Sequence, residues 1–287
     1  MSRRGKRRKA KRRQERATDR LSPTIDVVIP IYGEWGWLEE CLDALDAARG
    51  KHPIKVILVD DCHPDGSKIQ DFDLAPWREK FGRIGWARNK RNLGFPASCN
   101  RGAEMGNGFL ILFLNTDVVL YPGAISHMAE MFADPGVGVV GAKLVFPEES
   151  LDPNRPAGQI QHAGLAVGFD GNPFHIFIGW PPDHPRVNKV REMQMVTGAC
   201  MMTKRILWRE IGGFELSYGK GTFEDTEYCV RARMARQRVM FQPAAMGTHS
   251  VGASVMGAKE NYNVNDNRLV FTVRCGQFIF WDEWRFW

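Results

Sequence analysis

The sequence predicts an α/β protein built on a mostly parallel sheet with helices on both faces, as a single domain. Three observations carry this. Short, continuously apolar runs (IDVVIPI, KVILVD, FLILFL) read as strands buried on both sides. Segments with apolar residues at helical spacing alternate with those runs. Turn residues separate most of them, and no internal repeat interrupts the order.

In chain order, Ile25–Ile31 reads as the first strand. Trp37–Arg49 follows as a helix, with Leu38, Cys41, Leu42 and Leu45 on one face. Lys55–Asp60 and Ile84–Arg88 are the next strands, Ala97–Met105 a helix, Phe109–Leu114 a very apolar strand, Ala124–Phe132 a helix and Val137–Ala142 a strand. Leu144–Val190 is rich in Pro, Gly and His and suggests long loops with one or two short strands. Gln194–Met202 then reads as one strand, Arg205–Ile211 as a short helix ended by Gly212-Gly213, Glu224–Arg236 as a helix and Val239–Gln242 as the last strand. The expected organisation is a disordered basic tail over 1–20, a catalytic domain over 21–254 and an aromatic-rich C-terminal extension over 255–287, ending in FIFWDEWRFW.

Composition excludes several classes. No apolar run approaches the ~20 residues needed to cross a bilayer, and the basic start is not followed by the apolar stretch of a signal peptide. The net charge of +6 belongs to the tail: residues 1–20 hold eleven Lys/Arg and two acids, which leaves 28 basic and 31 acidic residues in the rest. A compact nucleic-acid-binding body is more often basic itself. The six cysteines contain no C-x-x-C pair, which favours reduced structural thiols in a cytoplasmic setting over a disulfide frame or zinc site. The flexible basic tail leaves open peripheral contact with an anionic membrane surface, attraction to nucleic acid, or a merely solvated role.

Chemistry-bearing residues gather after the strands. Asp60 and Asp61 follow KVILV, with His63, Asp65, Gly66 and Ser67 beyond, and Asn115, Thr116 and Asp117 follow FLILFL. Between them lie Asn92, Gly94, Asn100 and Gly102. An Asp after a strand is often only a turn or cap residue. A doubly wound sheet, however, brings several such ends to one rim, where ligands bind. Acids there suit transfer from a nucleotide diphosphate: a Mg²⁺ or Mn²⁺ ion on a carboxylate absorbs charge developing on the leaving phosphate, and another carboxylate takes the proton of an attacking hydroxyl.

These motifs, in order, resemble the family-2 inverting glycosyltransferases of GT-A (Rossmann-like) fold, especially their rhamnosyltransferase-like branch. The resemblance runs through Val28-Ile29-Pro30-Ile31-Tyr32, Val59-Asp60-Asp61 with Asp65-Gly66-Ser67, Asn92-x-Gly94 with Asn100 and Gly102, and Leu114-Asn115-Thr116-Asp117. It continues through Thr197-Gly198-Ala199-Cys200, Gly212-Gly213-Phe214, Phe223-Glu224-Asp225-Thr226-Glu227, Arg231-Ala232, and His249 with Gly252 and Ser254. It implies Pro30 and Tyr32 beside the nucleoside, with Asp60 on the base or ribose and Asn92 and Asn115 among the donor-binding residues. It further implies Asp117 as principal metal carboxylate, His249 as metal or diphosphate ligand, and Asp225 as general base. Asn115 stands where the family more often has an acid, and His63 and Pro64 replace small polar residues. A UDP- or dTDP-linked sugar donor and a Mn²⁺ or Mg²⁺ cofactor follow from the same resemblance.

Two other readings fit parts of the pattern. A nucleotidyltransferase of similar fold wants a Gly-rich, basic phosphate loop after the first strand, where this chain has Tyr32-Gly33-Glu34-Trp35. A non-catalytic nucleotide-sugar-binding protein has no need to keep Asp60, Asp117 and Asp225 together. For the acceptor (a glycan, a lipid-linked glycan or nucleic acid), Leu144–Val190 and the C-terminal segment are the expected surface, and neither carries a legible motif.

Overall fold

The computed structural model describes residues 24–33, 35–150, 154, 156–250 and 263–287. The basic tail, Glu34, Gly252 and Ser254 lie outside the described residues. The first half alternates as expected: β1 (Ile25–Ile31), α1 (Trp35–Arg49), β2 (Ile54–Asp60), α2 (Ala75–Phe81), β3 (Gly85–Arg88), α3 (Phe95–Glu104) and β4 (Leu110–Leu114). Next come β5 (Val118–Leu120), α4 (Ala124–Glu130), β6 (Val137–Val145), β7 (Ile160–His162), β8 (Leu165–Val167), β9 (Pro173–His175) and β10 (Arg191–Met193). The chain continues with β11 (Cys200–Lys204), α5 (Arg205–Ile211), α6 (Glu224–Met234), β12 (Arg238–His249) and α7 (Val264–Cys275).

The main sheet has the order β10-β12-β6-β11-β4-β1-β2-β3, with β5 paired to β12 and β7 to β6. Strands β4, β1, β2 and β3 are mutually parallel. Strand β11 lies antiparallel between β4 and β6, so β6 and its parallel partner β12 share the direction of the first four. The result is the mostly parallel sheet expected. Its carboxyl ends form one rim.

Strand periodicity divides the core between the two faces. On β1, Ile25, Val27, Ile29 and Ile31 join Leu38, Leu42, Trp77 and Met128 beneath α1, α2 and α4. Val28, with Ile111 and Phe113 of β4, faces α3, α5 and α6 through Cys99, Leu207, Phe214 and Tyr228. Asp26 is fully buried on that second face. Its carboxylate accepts from Gly108 N–H at 2.7 Å and pairs with Arg205, the partnering a buried charge requires.

Two departures from the sequence reading have clear causes. The expected strand Gln194–Met202 is two elements: β10 stops at Met193, 194–199 turns, and pairing resumes at Cys200. The turn lets Gly198 leave the sheet and meet α6, as described below. The last strand extends to His249, and its register against β6 shifts between Gln242 and Met246, a span containing Pro243, which has no N–H for a ladder. In the C-terminal segment, Phe278, Phe280 and Trp281 stay partly or largely exposed, while Phe286 and Asp282 are the residues buried. Asp282 accepts from Val167 N–H at 2.8 Å, which fastens the segment to β8.

All six cysteines are unpaired. Among the described residues, no helix is long and apolar enough to cross a membrane.

Candidate functional site

A cavity of about 410 Å³ opens at the carboxyl rim of the sheet. Pro30 and Tyr32 reach it from the end of β1, Asp61 from the end of β2, Asn92 from the loop before α3, Asn115 and Asp117 from the end of β4, Asp225 from α6 and His249 from the end of β12. Of the site residues read from the sequence, only Asp60 is missing from its wall.

Asp60 is 1% exposed and its carboxylate is fully engaged inside the protein. Oδ1 accepts from Cys62 N–H at 2.9 Å, and Oδ2 from Ile69 N–H at 3.0 Å and Arg88 Nη1 at 2.6 Å. It organises the loop after β2, and its neighbour Asp61 faces the cavity. Asp61 accepts from Asn89 Nδ2 at 2.7 Å and from the N–H groups of Leu93 and Gly94 at 2.8 Å each. Burial pushes its pKa up against these hydrogen bonds. Asn92 Oδ1 also accepts from Gly94 N–H, at 3.0 Å. Gly94 has φ +91°, and a Cβ there would lie 2.4 Å from Gly219 O and 2.5 Å from Lys220 Cα. Only glycine lets this loop touch the segment leading to α6, closing one side of the cavity.

The rings of Tyr32 and His63 meet edge to face at 4.7 Å, so the unusual His63 buttresses Tyr32. Asn115 holds Ala199 O through its backbone N–H at 2.9 Å. Its side-chain Oδ1 is buried without a hydrogen-bond partner, on a residue that lines the cavity.

Asp117 and His249 are brought together by strand pairing. β5 runs antiparallel to the end of β12 with His249 opposite Val118, and Ser250 N–H donates to Asp117 O at 3.1 Å. Both side chains are more than nine-tenths buried. His249 Nε2 lies 3.3 Å from Asp117 Oδ1, and His249 Nδ1 lies 3.3 Å from Gln161 Oε1. With the ring proton on Nδ1, donated to the Gln161 amide oxygen, the Nε2 lone pair is available to a cation that the Asp117 carboxylate also ligates. Two facing lone pairs fit a cation between them. A hard divalent ion held by one or two protein groups, with substrate phosphates completing its shell, needs no more than this, and Gln161 is the outer partner that fixes such an imidazole. Among the described residues, no group of three or more His, Cys, Asp and Glu converges, so the protein side of an ion site would be this pair.

The carboxylates opposite belong to a different element. Thr222 (φ +80°) and Phe223 (φ +71°) are consecutive non-glycine residues in the left-handed region, a conformation costing of the order of 1–3 kcal/mol per residue. The turn they form starts α6 with Glu224 and Asp225 at the cavity. Asp225 Oδ2 accepts from Gly198 N–H at 2.7 Å and Oδ1 from Thr226 N–H at 2.7 Å, leaving lone pairs on both oxygens. A Cβ at Gly198 would lie 3.0 Å from Asp225 Cβ, which is why the turn after β10 carries glycine. Burial raises the Asp225 pKa, opposed by those two N–H groups. Glu224 is 6% exposed with Oε2 unpartnered. Burial first, and then the Asp225 charge, push its pKa up.

Sequence reading gave one wall no individual roles, although Thr197 lies in a matched motif and Gln161 and His175 fall within the expected acceptor surface. Gln161, His175 and Thr197 also line the cavity, and behind them His162 Nδ1 meets His175 Nδ1 at 2.9 Å. Burial lowers both imidazole pKa values, His175 to about 4, so the pair is neutral near pH 7. Strands of three residues such as β7 and β9 show no readable periodicity, so nothing in the sequence placed these side chains together.

Comparisons with known proteins agree with this geometry. A match to the family described as "Glycosyl transferase family 2" covers residues 26–212. The chain is 29% identical over 204 residues to the O-antigen biosynthesis protein RfbC of Myxococcus xanthus, covering 68% of this chain and 15% of that protein. It is 26% identical over 238 residues to the uncharacterized protein y4gI of Sinorhizobium fredii, covering 81% and 25%. The chain thus spans a quarter or less of those two relatives. Among solved structures, GalNAc-T7 with UDP, GalNAc and Mn²⁺ superposes with a TM-score of 0.60 at 15% identity, over 79% of this chain and 44% of that one. A mannosyltransferase from Pyrobaculum calidifontis in complex with GDP-Man and Mn²⁺ gives 0.56 at 18%, over 89% and 63%. The family match spans well over half of the sequence and takes in β1, β2 and β4 of the rim, and the chain belongs to glycosyl transferase family 2.

Proposed function

We propose that this chain transfers a sugar, with inversion, from a nucleotide-diphosphate donor to an acceptor hydroxyl, with the aid of a divalent metal. One observation carries the reading: the cation-suited Asp117–His249 pair and the Asp225 carboxylate line a single cavity beside the aromatic and amide groups at the ends of β1 and β4. Asp117 and His249 would hold Mn²⁺ or Mg²⁺, which when bound offsets the charge of the departing diphosphate. Pro30 and Tyr32 flank the nucleoside, Asn92 and Asn115 offer hydrogen bonds to the donor, and Asp61, with Asp60 behind it, holds that wall in shape.

Asp225 takes the proton of the acceptor hydroxyl as the hydroxyl oxygen attacks the anomeric carbon and the diphosphate leaves from the opposite face. Its elevated pKa makes it a better base, and the Gly198 and Thr226 N–H groups fix its plane. The solved neighbours that hold UDP or GDP-Man with Mn²⁺ support this donor class and metal. The motif order supports the rhamnosyltransferase-like branch and a UDP- or dTDP-linked sugar. The eleven cations within residues 1–20 suit an anionic acceptor surface, a lipid-linked glycan at a membrane among them.

A screen of nucleotide sugars for Mn²⁺-dependent hydrolysis and transfer tests the reading. One donor cleaved only with metal present is the expected result, and cleavage of none, by folded protein across UDP-, dTDP- and GDP-sugars, would remove it.

A further inference from the structure

We infer that Asn267, in the C-terminal extension and outside the family match, is a positioning residue for the reaction: it holds the strained turn that delivers Asp225 to the cavity. The inference rests on the assignment of Asp225 as base.

The turn Gly221–Phe223 places two side-chain-bearing residues, one of them β-branched, at positive φ immediately before Glu224 and Asp225. L-residues leave this region unless their surroundings over-determine it. Asn267, 7% exposed on α7, supplies the restraint. Its Nδ2 lies 2.7 Å from Gly221 O, 2.9 Å from Thr222 Oγ1, 3.0 Å from Tyr218 O and 3.3 Å from Thr222 O. Carbonyl oxygens only accept, so the amide nitrogen must face them, and its two protons are shared around the turn.

The same face of α7 makes two further contacts. Phe271, one turn on, packs its ring 5.4 Å from that of Phe223, and Arg274 Nε donates to Glu227 Oε1 of α6 at 2.6 Å. Positions 267, 271 and 274 are spaced to share one helix face, and all three grip either the turn or the helix it starts. From the turn the restraint passes into the first turn of α6, which carries the base: Phe223 O accepts from Thr226 Oγ1 at 2.7 Å and from Glu227 N–H at 2.9 Å. A shift of the turn therefore moves the Asp225 carboxylate away from Gly198 and from the attacking hydroxyl.

The test compares Asn267→Ala with the double variant Asn267→Ala/Thr222→Gly. Turnover and donor KM are measured on the nucleotide sugar selected in the screen, and amide hydrogen exchange of residues 218–228 is measured on the ligand-free protein. Asn267→Ala is expected to lower kcat roughly 10–100-fold per folded molecule, the scale of a small misplacement of a reacting group. Donor KM should stay within about twofold, and exchange over 221–226 should accelerate. Thr222→Gly should restore much of both turnover and protection, because glycine adopts this φ without strain. A role in packing alone would lower stability and leave kcat per folded molecule unchanged. Unchanged kcat and exchange in Asn267→Ala, or no recovery in the double variant, overturns the inference. If Asn267→Ala does not fold, Asn267→Ser, which keeps one donor, is read in the same way. Failure of the base assignment would show separately, as normal turnover in Asp225→Asn, while the exchange experiment still decides whether Asn267 holds the turn.

Discussion

His249 Nε2 faces Asp117 Oδ1 at 3.3 Å across the junction of β5 and β12, although the two residues are far apart in sequence. With Nδ1 of the histidine turned to Gln161, the pair places a carboxylate oxygen and the other ring nitrogen at the same point. Asp117→Ala should abolish metal-dependent transfer while leaving the fold intact, because the lost group faces a cavity rather than the core. Chelation of the wild type should do the same and be reversed by Mn²⁺ or Mg²⁺. Full turnover in excess EDTA would remove the metal from the mechanism.

Asp225→Asn keeps the size of the side chain and, through its amide oxygen, one of the hydrogen bonds from Gly198 and Thr226, but cannot take a proton. A fall in kcat of ~10²–10⁴-fold with donor KM little changed is the expected outcome. Steady-state kinetics at saturating donor measure it. Near-normal turnover would move the search to Glu224.

Asp60 and Arg88 form an ion pair at 2.6 Å, with side chains 2% and 18% exposed. Asp60→Ala takes the carboxylate from that guanidinium, which keeps Ser67 O at 2.8 Å, and strands two backbone N–H groups, so it should cost roughly 3 kcal/mol of stability, the low end for breaking a buried pair. Denaturant unfolding reads this directly. A variant as stable as wild type, but with weakened donor binding, would return Asp60 to direct contact with the nucleoside.

Glu224→Gln tests the unpartnered buried carboxyl through pH. The folded pKa lies above the unfolded one, so between the two the native state binds more protons and wild-type stability falls as pH rises. Glutamine removes this dependence. Its unfolding free-energy advantage over wild type should be small near pH 4.5 and grow toward pH 8, with a slope no steeper than about 1.4 kcal/mol per pH unit. An advantage that shrinks with rising pH would contradict the assigned direction.

What the sequence determined by itself was the sheet and its rim. Continuous apolar runs this short, bounded by turn residues, read as strands buried on both faces, and β1, β2 and β4 lie within a residue of where that reasoning puts them. Motif order then named Asp117, Asp225 and His249 without showing that they meet. Tertiary structure decided which groups face the ligand space. It turned Asp60 inward onto Arg88 and Asp61 outward, because adjacent residues at a strand end point to opposite sides and only packing selects between them. It joined Asp117 to His249 through the pairing of β5 with β12, a non-local register that local periodicity cannot encode. It also carried α7 back from the extension onto the turn before Asp225, where a buried amide at Asn267 satisfies backbone groups some 45 residues earlier in the chain. That contact depends on the three-dimensional path of the chain, and no spacing in the sequence reports it.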